Sequence, residues 1–364
     1  MQVKADHARN KFARQVKGIM FAGLIAVMVS ACGQSEKASD TSPAPESTIV
    51  SPSKAVGNPT AAEAPTPTPA SYSYTYPLTG LGTNEKPQGR PIMVMVENSA
   101  AARPQSGLDQ ADLVYEILAE GEITRFAAFF ESKTPTIIGP VRSIRPYFVQ
   151  LGEGLDAVIV HAGWSQEAMN LLAGHKLDHL DQVYGDEKYY WRDSSRKMPH
   201  NLYTSIEKIK KGEKDKNFRE AWHGPSLHFM GAGEAVVGKP ADSVDIEYLR
   251  GYHVSYQYDV KTGVYARFMN GEPHLDKEDG KQITAANVLI IRTSHRFVDS
   301  YGRRAVNVIG PGTGYLLQKG IMQEITWQNK DGVIRPYVDG KEVLLVPGTT
   351  WVQVVEEQAK VQFP

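Results

Sequence analysis

Hydrophobic positions fall along the chain in three regimes. Gly18 to Val29 is an uncharged apolar run behind Lys4, Arg9, Lys11, Arg14 and Lys17. From Gly33 to about Tyr76 apolar residues are scattered through a Ser/Thr/Ala/Pro-rich stretch that ends in Ala64-Pro65-Thr66-Pro67-Thr68-Pro69-Ala70. From Pro77 onward short apolar runs alternate with turn residues. The run 92–97 predicts a buried strand, and 112–118 with 124–130 predicts a hairpin across Ala119-Glu120-Gly121-Glu122. Residues 146–151 predict a short helix opened by a proline, and 157–160 a short apolar strand. Ser165 then caps a helix carrying Met169, Leu171 and Leu172. Strands followed by helices predict an α/β domain over 77–235. The second region, 240–364, carries strand patterns at 253–258, 264–269, 288–292, 305–309, 315–318, 324–328, 333–338, 342–346 and 350–355. Asn270-Gly271, Asp331-Gly332 and Asp339-Gly340 supply turns between them. That spacing predicts a β-rich domain, a sandwich or partly open barrel. The expected class is therefore α+β overall, with the boundary in the Pro/Gly/charge-rich stretch around 223–242 and no internal repeat.

The first two regimes address the chain to the cell surface. A basic start, an apolar core of about a dozen residues and small residues before a cut make a secretory signal over 1–31. The core is short of the roughly 20 residues a membrane span needs. Val29-Ser30-Ala31-Cys32 resembles the lipobox of bacterial lipoproteins, with Val29 where Leu is more usual. The resemblance implies a palmitate-type lipid on the Cys32 thiol and cleavage before it. Cys32 is the only cysteine, so an exported chain has no disulfide partner for it. The bland alternatives are an ordinary signal with a chance cysteine, or an uncleaved anchor. The stretch 32–76 reads as a disordered tether, because it holds too little apolar surface to offset chain entropy. Its length allows a reach on the order of 100 Å if largely extended.

Charge narrows the partners. The whole chain has 40 Lys+Arg and 41 Asp+Glu. Without the five basic residues and one acid of 1–31, 35 basic and 40 acidic residues remain, a net charge near −5. That balance does not favour nucleic acid or anionic lipid.

Chemistry-bearing residues are densest in the first region. Arg90-Pro91-Ile92, Arg103-Pro104-Gln105-Ser106-Gly107-Leu108, Gly121 to Phe126, Gly139 to Tyr147, His161-Ala162-Gly163 and Pro199-His200-Asn201 resemble the DUF3048 family, whose members include lipoproteins of Gram-positive bacteria. Tyr265-Ala266-Arg267-Phe268-Met269-Asn270-Gly271, Gly312-Thr313-Gly314-Tyr315 and Pro347-Gly348-Thr349-Thr350-Trp351 resemble that family's C-terminal domain. The resemblance covers nearly everything from Pro77 on. It implies a two-domain, surface-tethered lipoprotein and no particular reaction.

Gly139-Pro140 forces a turn, and Arg142 and Arg145 follow it three residues apart. If that segment enters a helix, both guanidinium groups share one face, and with Ser143 and Arg125 they form a phosphate or carboxylate cradle. Alternatively they pair with Glu97, Glu116, Glu120 or Glu122 and brace the loops. His161 ends an apolar strand, where α/β proteins often place sites. His200 lies beside Asn201 and Tyr203, and Arg192 and Arg196 stand close by in sequence. A histidine near an acid can be a general base or a metal ligand, but no metal-ligand spacing is present and ordinary hydrogen bonding explains both. The Gly163-Trp164-Ser165 segment lacks the second Gly of a nucleophile elbow. His295-Arg296 and Arg303-Arg304 read as a solvated loop, with contact to a polyanion as the alternative.

Three functions fit. The first is a non-catalytic scaffold or binding lipoprotein on the extracytoplasmic face of the membrane, recognising a cell-wall component or a surface protein. The second is a metal-assisted phosphotransferase acting on wall precursors at an arginine-lined anion site. It rests on a loose similarity of Thr124 to Phe129 to the arginine-lined strands of LytR-CpsA-Psr proteins, whose Arg-Asp-Thr step is absent here. The third is a solute-binding lipoprotein. No cofactor is expected, and a divalent metal enters only under the second reading.

Overall fold

The computed structural model describes residues 72–364. The expected signal at 1–31, the lipidation site Cys32 and the tether up to 71 lie outside the described residues. The main elements are β1 (Ile92–Glu97), β2 (Leu113–Leu118), β3 (Thr124–Phe130), α1 (Pro146–Gly154), β4 (Val158–His161), α2 (Gln166–Gly174), β5 (His179–Asp181), α3 (Ile206–Asp215), β6 (Ser243–Leu249), β7 (Tyr252–Asp259), β8 (Val264–Met269), β9 (Asn287–Thr293), β10 (Gly312–Gln318), β11 (Ile321–Lys330), β12 (Val333–Val338), β13 (Thr350–Glu356) and β14 (Lys360–Gln362). Among the described residues strands hold 41% and helices 14%, so the α+β class is dominated by sheet.

Twelve strands form one sheet, in the order Lys341–Glu342, β12, β11, β10, β9, β13, β2, β3, β1, β4, β5, with Lys239–Pro240 added beside β11. β13 is the junction. It runs parallel to β9 on one side and to β2 on the other, so the sheet passes without a break from the second region into the first. The expected boundary near 235–240 therefore does not coincide with a gap in this sheet. The strands of 240–364 do pack as two layers, β6–β8 and β14 against β9, β10, β11 and β13, but the second layer does not end at β13 and continues into the first region. The physical reason is in β13, where all but the last residue are buried, which no edge strand of a two-layer domain requires.

Burial patterns separate the two kinds of strand. β1, β2 and β3 are buried at every position and are covered on both faces. β6 and β8 alternate between buried and half-buried positions, as strands with one covered face do. β6, β7, β8 and β14, with Glu272–Pro273 and Thr284–Ala285, make a six-stranded antiparallel sheet. It packs Val244, Ile246, Val254 and Tyr256 against Val94, Val114, Phe126 and Trp351 on one face of the large sheet. α3 joins that face through Ile206 and Ile209. The opposite face carries α1 and α2, whose Phe148, Leu151, Ala168 and Leu172 meet Met93, Met95, Ile117 and Phe129.

Helices follow strands in parallel order at β4-α2-β5, while β2, β3 and β1 pair antiparallel. Ser165 caps α2, its hydroxyl accepting from the Ala168 amide at 3.4 Å. α3 is absent from the sequence expectation, although Ser205 caps it by accepting from Lys208 N at 3.2 Å. Its lysine-rich exposed side hides the short Ile206/Ile209 stripe that docks it. Tyr74–Thr75, expected at the end of the tether, pairs with Gly82–Thr83.

Candidate functional site

β1, β2, β4, β9 and β13 all run in one direction, so their carboxyl ends share one edge of the large sheet. Ligand sites of open sheets with parallel strands gather at such an edge. Here β2 leads into the turn Glu120–Glu122, where Gly121 takes φ 74°. The turn brings Glu120 back to Arg125 at the start of β3, with Nη2 2.6 Å from Oε1. Arg145 donates to the same carboxylate through Nε at 3.0 Å and through Nη2. Burial works to raise the Glu120 carboxyl, but Arg125 and Arg145 outweigh it and hold it down at about 2. Burial, and then the Arg125 charge, lower the Arg145 guanidinium, while Glu120 raises it. Two buried cations thus share one carboxylate, and the trio keeps a net positive charge.

Arg142 does not join them. The helix starts only at Pro146, with Arg145 as an extended cap residue at φ −131°, ψ 161°. A residue before proline is pushed out of the helical region. Arg142 and Arg145 therefore do not share a helix face, as they would if the segment turned helical at once. Arg142 instead reaches Glu97 at the end of β1, with Nη2 to Oε1 and Nε to Oε2 both 2.9 Å. His200 Nδ1 and Ser99 Oγ also bond Glu97 Oε1, at 2.8 and 2.7 Å. Ser99 Oγ lies 3.3 Å from the same His200 Nδ1. A serine relay needs the hydroxyl and the acid on opposite ring nitrogens. With both on Nδ1, that nitrogen donates to Glu97 and cannot accept the Ser99 proton, so the trio is a brace.

The other expected residues disperse. Glu116 is wholly buried and paired with Arg267 Nη2 at 2.7 Å. Arg267 continues to Tyr256 Oη at 2.7 Å and His274 Nδ1 at 2.9 Å, and its guanidinium stacks on Trp351. His161 is buried, with Nε2 3.1 Å from His179 Nδ1. Burial lowers its imidazole, Asp181 pulls back, and the result is about 4, so the two rings share one hydrogen bond in neutral form. Ser143 donates to Ala162 O at 2.8 Å and its carbonyl accepts from Arg125. Asn201 accepts from Arg192 at 2.9 Å, and Arg196 clamps the Ala102 and Pro104 carbonyls at 2.6 Å each. Glu122 is exposed. Among the described residues no three His, Cys, Asp or Glu side chains group as a metal site.

A cavity of about 230 Å³ opens beside Arg145, between the first turns of α1 and α2 and the hairpin of His295–Phe297 with Arg304–Val306. Arg145, Arg303 and Arg304 line it with Tyr147, Ser165 and the acid Glu167. Arg304 is not in a solvated loop, because only 6% of it is exposed. It bonds Glu356 at the end of β13 at 2.7 Å and lies 4.2 Å over the Phe297 ring. Its Nε is buried without a partner. The sequence reads Arg304 as part of a solvated loop because its cover, Phe297 and β13, comes from elsewhere in the chain.

Comparison with known proteins agrees with this architecture. Residues 78–219 match the family model described as "Protein of unknown function (DUF3048) N-terminal domain", and 244–352 match its C-terminal counterpart. The chain is 40% identical over 285 residues to the "Putative lipoprotein YerB" of Bacillus subtilis strain 168, covering 77% of this chain and 86% of that protein. The crystal structure of YerB from Bacillus subtilis superposes with a TM-score of 0.74 at 38% identity, covering 80% of this chain and all of that one. On these matches and on the residues that carry them, the chain belongs to the DUF3048 family.

Proposed function

We propose that this chain is a lipid-anchored protein of the extracytoplasmic membrane face that binds an anionic cell-wall component without transforming it. The observation that carries the reading is the pairing at the sheet edge. Arg125 and Arg145 share Glu120, which leaves positive charge beside the Arg145/Arg304 cavity. Glu97 Oε1, His200 and Ser99 are spent on one another and on Arg142, whose Nε faces the otherwise unbonded Oε2 at 2.9 Å. A binding site needs the first feature, and a catalytic acid–base pair would need the second group aligned otherwise. The "putative lipoprotein" name of the Bacillus relative supports the anchored half of the reading.

The test is a thermal-shift titration of the full chain with muropeptides and with a pyrophosphate-bearing lipid analogue. One of these is expected to stabilise the wild type and to leave Arg145→Met unmoved. A shift that survives in Arg145→Met removes the cavity from the reading. Release of inorganic phosphate from the analogue would replace binding by phosphotransfer.

A further inference from the structure

Trp191 and Tyr203 pair across the short ladder Trp191–Arg192 with Leu202–Tyr203, their rings 6.2 Å apart at 26°. They belong to the loop region that also holds His200 and Asn201, but neither takes part in the Glu97 brace. Both line a cavity of about 320 Å³ with Ile137, Arg192, Asp193, Lys277 and Glu278. That volume lies within the about 300–1,000 Å³ of small-ligand sites. The walls come from both family halves, joined there by Lys277 to Asp193 at 3.0 Å and by Ser106 to Glu278 at 2.7 Å.

Tyr203 is only 1% exposed, and its hydroxyl is buried with no hydrogen-bond partner. A buried hydroxyl without a partner is costly, and native proteins almost always satisfy one. Something that fills the cavity and offers a polar atom would remove the cost. The lining defines what that is. Arg192 and Lys277 balance Asp193 and Glu278, so the site favours a neutral guest. Side chains that only donate alternate with side chains that only accept, which suits a guest rich in hydroxyls that do both. Half-buried Trp191, stacked with Tyr203 and with Lys208 Nζ 6.0 Å over its ring, adds aromatic surface to the lining.

We propose that this cavity binds a hexose ring of a glycan, with one ring face against Trp191 and a hydroxyl on Tyr203 Oη. The site stands on its own geometry and leans on the wall-binding reading only for where such a glycan is met. A trapped water is the competing partner for Tyr203.

Isothermal titration of the full chain in detergent with chitotetraose and with cellotetraose tests the assignment. The wild type is expected to bind one of them. Tyr203→Phe should unfold at the same temperature or higher, since it deletes an unpaired hydroxyl, and should bind about tenfold more weakly. Trp191→Ala should abolish binding. Arg145→Met should bind the sugar as the wild type does, which separates this site from the anion cavity. No binding of either sugar by the wild type overturns the proposal. Equal affinity in Tyr203→Phe also overturns it, and assigns the hydroxyl to water.

Discussion

Arg142 and Arg145 stand three residues apart and lean on different carboxylates, so their loss has different consequences. Arg142→Met leaves the fully buried Glu97 with only His200 and Ser99. A buried charge deprived of its partner costs about 3–5 kcal/mol. Arg145→Met leaves Glu120 paired with Arg125 and removes the like charge beside Arg125, so a smaller loss than that of Arg142→Met is expected. Urea midpoints of the two variants should separate clearly, and equal losses would overturn the division of roles. Two further groups, half-buried Glu131 and buried His161, contribute to the pH dependence. Burial pushes the Glu131 carboxyl up to about 7, with the Leu78 amide opposing and Asp112 adding. Its folded value lies above the unfolded 4.5, so its contribution is full below 4.5 and is lost as pH rises towards 7. His161 has a lowered folded value, so its contribution is full above 6.5 and is lost as pH falls through about 4. Glu131→Gln is expected to reduce the loss between 4.5 and 7, leaving the share of Asp109, which is raised to about 6, and to keep the loss on acidification. Superimposable stability–pH curves for the variant and the wild type would refute this.

Elements from the two family halves approach too closely for side chains at a few places. The last residue of α1, Gly154, meets the turn between β11 and β12, where a Cβ on Gly154 would stand 1.9 Å from Gly332 O. Gly154→Ala must push the helix end off that turn, at about 1–3 kcal/mol. Gly340→Ala has open space around it and only a left-handed φ of 75° to strain, so about 1 kcal/mol is expected. Thermal midpoints rank the two, and a milder Gly154→Ala would show that the contact gives way freely. Capping follows the same logic, and Ser205→Ala should cost α3 about 1 kcal/mol by freeing Lys208 N.

At the scale of the molecule, β13 makes the halves interdependent. It fills the space between β9 and β2, while Arg267 of the small sheet neutralises Glu116 of the large one. Residues 72–364 are therefore expected to unfold in one transition by calorimetry and by circular dichroism. Two resolved transitions would mean that the halves fold separately. Arg267→Met should cost about 3–5 kcal/mol, and pairing it with Glu116→Gln should restore most of the loss, because the uncompensated charge is gone. For the anchor, Cys32→Ala is expected to release the chain from membranes or to block signal processing. Unchanged processing and retention would remove the lipid from the reading.

The sequence by itself determined the local pieces. The apolar runs of β1, β2 and β3 marked strands, Ser165 and Pro146 marked helix starts, and the family motifs marked the chain's membership. It also held one unused signal: Arg267 falls in step with Tyr265 and Met269 on the inward face of β8, so a buried partner was implied. Only the tertiary structure decided which carboxylate each arginine meets: a local turn returns Glu120 to Arg125, but Glu97 reaches Arg142 from 45 residues away and Glu116 reaches Arg267 across the packing of two sheets. It alone decided that the strands of the second half extend the sheet of the first. Local hydrophobic pattern fixes which residues are inside, but the choice of neighbouring strand depends on register and on both faces being covered at once, which no short segment carries.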